Sequence, residues 1–143
     1  MSSPLSKPVL LFDGECGLCN RAVRFLLRLD RESRLTFAAL QSAAGQEYLR
    51  SHGLPAAEFD SLVFVPDWTH RDRRDFLLRT DGVLAALREC GEMGAELAAV
   101  LGVVPAGWRD AGYRVVARWR YRIFGVWRPR PLAKPEWSAR FLA

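Results

Sequence analysis

Residues 10–23 read LLFDGECGLCNRAV, and the layout of the whole chain turns on this stretch. An apolar run ends at Phe12, an Asp13-Gly14 turn follows, and two of the three cysteines, Cys16 and Cys19, open a patterned segment. Pro8–Phe12 has the length and composition of a short buried strand stopped by turn residues. From Leu18 to Arg31 the apolar residues Ala22, Phe25, Leu26 and Leu29 recur at i, i+3, i+4 and i+7. Arg21, Arg24 and Arg28 take another face, so the spacing predicts an amphipathic helix. The two cysteines therefore stand where a strand turns into a helix.

Working outward, Leu35–Leu40 reads as a second strand, and Ala43–His52 as a helix that Gly53 caps and Pro55 prevents from continuing. Ser61–Val65 is a third strand. The polar turn Pro66–Asp75 leads to a fourth, Phe76–Arg79, paired with the third as a hairpin. Thr80 is a suitable N-cap for a helix running to Cys90 and stopped by Gly91. Two further helices are expected, near Met93–Leu101 and over Ala106–Phe124. The segment from Val126, with Pro129, Pro131 and Pro135, reads as irregular. The predicted order is β-α-β-α-β-β-α with a C-terminal helical extension. We expect one domain over 1–143, with a core at 8–91, the extension at 92–125 and an irregular basic tail at 126–143.

Composition agrees with a folded globular chain: of 143 residues, 50% are hydrophobic and 26% charged. The net charge of +5 is unevenly placed. Residues 1–108 carry 12 Lys/Arg against 14 Asp/Glu, whereas 109–143 carry 9 against 2. An anionic partner would therefore be sought at the C-terminal segment. All basic residues but Lys7 and Lys134 are arginine, which suits an arginine-rich codon bias as well as it suits bidentate binding. The N-terminal apolar run Val9–Phe12 is too short for a signal peptide, and Leu97–Gly107, interrupted by Pro105, is too short to cross a bilayer. The expectation is a cytoplasmic protein without a membrane span.

In a reducing compartment a close cysteine pair is more often catalytic, redox-sensing or metal-binding than a structural staple. Positions i and i+3 share a helix face, within a small adjustment of disulfide geometry. The outer cysteine gains most, because N–H groups at a helix start and the positive end of its dipole stabilise a thiolate. This assigns Cys16 as nucleophile and Cys19 as resolving thiol. Asp13 and Glu15 work against a thiolate at Cys16. Asp13 either caps the turn by accepting backbone N–H groups or relays a proton for Cys19. Zinc would need ligands from Cys90, His52 and His70, which are scattered and lack a second paired spacing. Haem attachment would need histidine where Asn20 stands. Neither a metal nor a cofactor is expected. An inert pair of small hydrophobes stays open as a reading. Cys90, ending the apolar face of Val83, Leu84 and Leu87, is expected to be structural, and His52 and His70 to lie at the surface.

In GWRDAGYRVVARWRYRIFG, residues 107–125, Trp108, Gly112, Val115, Trp119 and Ile123 form an apolar stripe expected to pack on the domain. Arg114, Arg118 and Arg122 form a second stripe, with Asp110 placed to pair with Arg114. This stripe is either a solvated face or the contact for an anionic partner. Trp119, Tyr121 and Trp127 interleave with arginine as base stacking would require, but a core makes better use of them, which disfavours nucleic acid.

With a CxxC after the first strand of this order, the chain looks like a thioredoxin-fold protein. More specifically it resembles the DCC family of thiol-disulfide oxidoreductases, named for a D-x-x-C-x-x-C signature that is met by Asp13 through Cys19. Further matches are DSLVFV at 60–65, RTDGVLAAL at 79–87 and YRVVARWRYRIFG at 113–125. The resemblance implies a thioredoxin-like sandwich and dithiol–disulfide exchange at Cys16 and Cys19, with Asp13 in the signature. It also implies substrate contacts at Gly17, Leu18, Asp60 and Ser61. Leu18 replaces the proline that thioredoxins carry inside the motif. Asp60-Ser61 stand where thioredoxins place a cis-proline facing the cysteines. The expected partner is a protein disulfide or a small thiol. The alternative is a non-catalytic binding module of the same shape that uses Arg114, Arg118 and Arg122.

Overall fold

The centre of the protein is a four-residue strand whose every side chain is buried: β1, Val9–Phe12. The structure, a computed structural model, describes residues 8–31, 34–54, 62–125 and 140–142. Alternate side chains of β1 point to opposite faces of a sheet, so one strand feeds two cores. Leu10 and Phe12 join Leu27, Phe37 and Phe64 on one side, while Val9 and Leu11 join Tyr48, Leu49 and Val65 on the other.

β1 pairs in parallel with β2, Thr36–Ala39, in the register Val9↔Thr36 to Phe12↔Ala39. On its other edge it pairs antiparallel with β3, Val63–Val65, which forms a hairpin with β4, Leu77–Leu78. Helix α1, Gly17–Leu29, links the parallel strands, and α2, Ala43–Ser51, follows β2. After β4 come α3, Arg79–Arg88, α4, Gly91–Gly102, and α5, Ala106–Phe124. The strand order is β4-β3-β1-β2-β5, a mixed α/β sheet of thioredoxin-like layout as expected.

Two glycines set how closely the layers approach. A Cβ on Gly94 would lie 2.1 Å from the Leu87 carbonyl oxygen, so α4 packs on α3 through bare backbone. A Cβ on Gly45 would lie 2.4 Å from the Ala39 carbonyl oxygen, fixing the start of α2 against the end of β2.

Several expectations change. On α1 the buried residues are Gly17, Val23, Leu26 and Leu27, and Leu29 packs against the same core, so Leu26 and Leu29 of the predicted face hold their place. Ala22 is exposed and Phe25 is 49% exposed, and both border a cavity instead. Thr80 does not cap α3: Leu78 holds the cap position without a side-chain bond, and the Thr80 hydroxyl donates to Asp110 at the start of α5. That bond ties the two helix starts together across thirty residues of sequence. α5 packs on α1 and α3, and among its described side chains Tyr113 and Ala117 are part-buried and border the cavity there. Of the predicted stripe, Trp108, Val115 and Trp119 face outward, 77%, 59% and 40% exposed, and the Ile123 side chain lies outside the described residues. His52 is buried rather than superficial. Its ring lies 4.2 Å from Tyr48 and 5.4 Å from Phe76, and its Nε2 donates to the Arg71 carbonyl.

The end of the chain is not irregular throughout. Phe141–Leu142 form β5, parallel to β2 with Phe37↔Phe141 and Ala38↔Leu142 in register. Beside it the Arg140 guanidinium is ion-paired with the buried Asp30 carboxylate and donates to the Leu35 carbonyl. Asp30 also accepts the backbone N–H groups of Arg34 and Leu35. The rest of the basic tail lies outside the described residues.

Candidate active site

Parallel neighbours deliver their following loops to the same edge of a sheet, and here β1 and β2 place two loops side by side. The Leu40 N–H donates to the Phe12 carbonyl at 2.7 Å, so the residues after each strand meet. Gln41, from the second loop, reaches across to the first. Its amide nitrogen donates to Asp13 Oδ1 at 2.7 Å and to Glu15 Oε1 at 3.4 Å. Its oxygen accepts the Gly14 N–H at 2.9 Å. Asp13 is buried, and its Oδ1 also accepts the Glu15 N–H at 3.0 Å, the geometry of a turn cap. Asn20 ties the loop from the helix side, donating to the carbonyls of Gly14 and Cys16 at 2.9 Å each.

This loop sets Cys16 at the N-cap of α1. The Cys16 backbone is extended there (φ −85, ψ 124), and its Sγ accepts the Cys19 N–H at 3.3 Å. A thiol thus fills the place usually held by a serine or aspartate oxygen. Hydrogen bonding to the charged form favours that form, and no acidic residue lies in the first turn of α1. Cys16 and Cys19 are thiols rather than a disulfide.

The two thiols face different surroundings. Cys16 is 0% exposed, whereas Cys19 is partly exposed. Next to Cys16, the Gly17 N–H donates to the carbonyl of Gly125 at 3.1 Å, so the end of α5 rests on the start of α1. Gly125 takes a positive φ of 70°, a conformation glycine adopts without strain, directly after the helix. Cys19, with Leu18, forms part of the wall of an apolar cavity of about 300 Å3 between α1, α3 and α5.

Asp13, Cys16, Gly17, Leu18 and Cys19 are thus brought together. Asp60 and Ser61 lie outside the described residues. Gln41 and Asn20 are site residues that the sequence reading missed. The signal for Gln41 lay in the parallel pairing, which sends the residue after the second strand to the loop after the first. Arg114, Arg118 and Arg122 are exposed on α5, and the Arg122 guanidinium lies 5.1 Å from the Trp119 ring centroid. Cys90 is buried as expected, its thiol donating to the Ala86 carbonyl at 3.3 Å, and burial pushes it up to about 12. Among the described residues no three His, Cys, Asp or Glu side chains stand together as metal ligands would. Among them, too, no helix is long and apolar enough to cross a membrane.

The DCC1-like thiol-disulfide oxidoreductase family model matches residues 10–126, from β1 to just past the Gly125 contact. The chain belongs to this family. It is 36% identical over 141 residues to the uncharacterized protein YuxK of Bacillus subtilis (strain 168), covering 99% of this chain and 98% of that one. It is 35% identical over 119 residues to a chloroplastic DCC family protein of Arabidopsis thaliana, covering 83% of this chain and 66% of the relative. No solved structure is significantly similar to the chain. Family membership supports an oxidoreductase role for the protein. The matched span contains every site residue named above, Asp60 and Ser61 included.

Proposed function

We propose that the protein exchanges its Cys16/Cys19 dithiol with a substrate disulfide. The observation that carries this reading is the Cys16 sulfur at the N-cap of α1, accepting the Cys19 N–H. The Cys16 thiolate attacks one sulfur of the substrate, forming a mixed disulfide and releasing the other as a thiolate. Cys19, one turn along the same face, then attacks Cys16 Sγ, closing the Cys16–Cys19 disulfide and freeing the second substrate thiol. Two electrons pass to the substrate. Asp13 and Gln41 hold the loop that presents Cys16, and Gly17 and Leu18 flank the attacking sulfur. Cys16 is closed off from solvent, so a protein disulfide reaches it when the start of α1 opens locally. The cycle suits a reducing compartment such as the cytoplasm, where a close pair is returned to the dithiol form.

The test is a trap. The Cys19→Ser variant under mild oxidation is expected to accumulate covalent adducts at Cys16, seen by mass spectrometry under non-reducing conditions. A Cys19→Ser protein that stays unmodified, alongside a wild-type pair that never closes, would defeat the reading.

A second reading rests on the exposed arginines: a binding module whose α5 contacts an anionic partner through Arg114, Arg118 and Arg122. Under that reading Arg114→Glu with Arg118→Glu abolishes partner binding while Cys16→Ser leaves it intact.

A further inference from the structure

The cavity beside Cys19 has a composition of its own. It lies between α1, α3 and α5 and takes its walls from Phe12, Leu18, Val23, Leu87 and Val116, with Cys19 among them. Tyr113 borders it too, but its hydroxyl oxygen already accepts the Leu62 N–H at 3.1 Å. Among the described residues no charged side chain lines it. The volume, about 300 Å3, is at the lower end of small-molecule pockets and roughly twice that of an apolar cavity of about 150 Å3 that holds benzene. A space of this size suits a short hydrocarbon chain and is too small for a partner helix. Among the described residues Cys19 is the one thiol in the wall, whereas Cys16 is fully buried.

We propose that this cavity binds the hydrocarbon chain of a small apolar dithiol, which reduces the Cys16–Cys19 disulfide by attack at Cys19. This rests on the exchange reading above and names its reductant. The first ligand thiolate attacks Cys19 Sγ. A ligand–Cys19 bond forms, the Cys16–Cys19 bond breaks, and Cys16 leaves as the thiolate that the Cys19 N–H is placed to stabilise. The second ligand thiol, deprotonated, attacks the ligand sulfur bound to Cys19. The ligand closes to its own disulfide, and Cys19 leaves as a thiolate and takes up a proton. The protein gains two electrons and the ligand loses two. The leaving-group argument selects this direction of attack, because the displaced sulfur is the one at the helix start. The two cysteines thereby divide the cycle: Cys16 meets the disulfide to be reduced, and Cys19 meets the reductant.

The probe is 6,8-dimercaptooctanamide, an eight-carbon dithiol, compared with dithiothreitol, a short polar one. Each is mixed in stopped flow with the full-length oxidised protein at equal thiolate concentration. The expected result is a rate that saturates with the eight-carbon dithiol and exceeds that with dithiothreitol at least tenfold at low concentration. Ala117→Phe and, separately, Ala22→Phe at the exposed rim place a ring in the space, and each is expected to bring the ratio of the two rates toward one. Using two variants and a ratio keeps the result readable if one folds poorly. Octanamide, which carries no thiol, is expected to compete only with the eight-carbon dithiol. A linear dependence, equal rates for both dithiols and no competition, in a protein that does form the Cys16–Cys19 disulfide, would overturn the cavity assignment and leave exchange standing. A protein in which that disulfide never forms would overturn the exchange reading and this one with it.

Discussion

Gln41 holds Asp13: its amide nitrogen donates to the buried carboxylate at 2.7 Å while its oxygen accepts the N–H of Gly14 at 2.9 Å. One side chain therefore clamps both ends of the turn that leads into Cys16. Gln41→Ala removes a bond to a charged, buried acceptor, for which about 1.5–3 kcal/mol of stability is expected. Gln41→Glu is expected to cost more, since it replaces the amide donor with a third carboxylate beside Asp13 and Glu15. Urea unfolding of both variants checks these statements.

Arg140 and Asp30 form a buried pair at the far edge of the sheet. Arg140→Ala strands a buried carboxylate that only backbone N–H groups then serve, and a loss of about 3–5 kcal/mol is expected. Deleting 140–143 should cost at least as much, because β5 goes too. Thermal unfolding by circular dichroism measures both.

Gly94 is a place where a methyl group does not fit, its Cβ position lying 2.1 Å from the Leu87 carbonyl and 2.7 Å from Cys90 Cβ. Gly94→Ala is expected to cost about 1–3 kcal/mol by forcing α4 off α3, even though alanine is the better helix former. Gly102→Ala, with open space around it, should be neutral or slightly stabilising and serves as the control.

Alkali should weaken the fold through Cys90. Burial, with the Asp30 carboxylate adding to it, raises this thiol from its ordinary 9.0 to about 12. The unfolded chain loses the proton near 9.0 and the folded chain keeps it. Stability is therefore intact below about pH 9 and falls as pH rises toward about 12. Tyr48, raised from 10.0 to about 12 mainly by burial, acts in the same direction. Denaturant midpoints between about pH 8 and about pH 10.5 should fall, and less steeply in Cys90→Ala.

The elements with their own local pattern were legible in the chain. The apolar run of β1, the arginine-and-leucine periodicity of α1 and the bounds of α5 could all be read before folding. What escaped depends on distant partners. Thr80 has the chemistry of a cap, but Asp110 takes its hydroxyl. His52 looks superficial until Tyr48 and Phe76 gather around it. Ala22 and Phe25 fit the apolar face of α1 by spacing, yet they border a cavity that only α3 and α5 complete. β5 is two residues long and has no periodicity to read; its place comes from an open edge on β2 and from Asp30. At the site, Cys16 at the helix start could be foreseen from the motif, while its full burial and the contact of the neighbouring Gly17 with Gly125 could not.

The order of synthesis gives the Asp30–Arg140 contact a further meaning. A ribosome makes the acid early and its cation 110 residues later. Throughout that interval the nascent chain carries a carboxylate destined for the interior without the charge that neutralises it, and the outer edge of β2 is open. The last described residues thus act as a latch. The sheet closes only after they have left the exit tunnel, so an emerging chain passes through a stage with an exposed strand edge that the finished protein no longer shows.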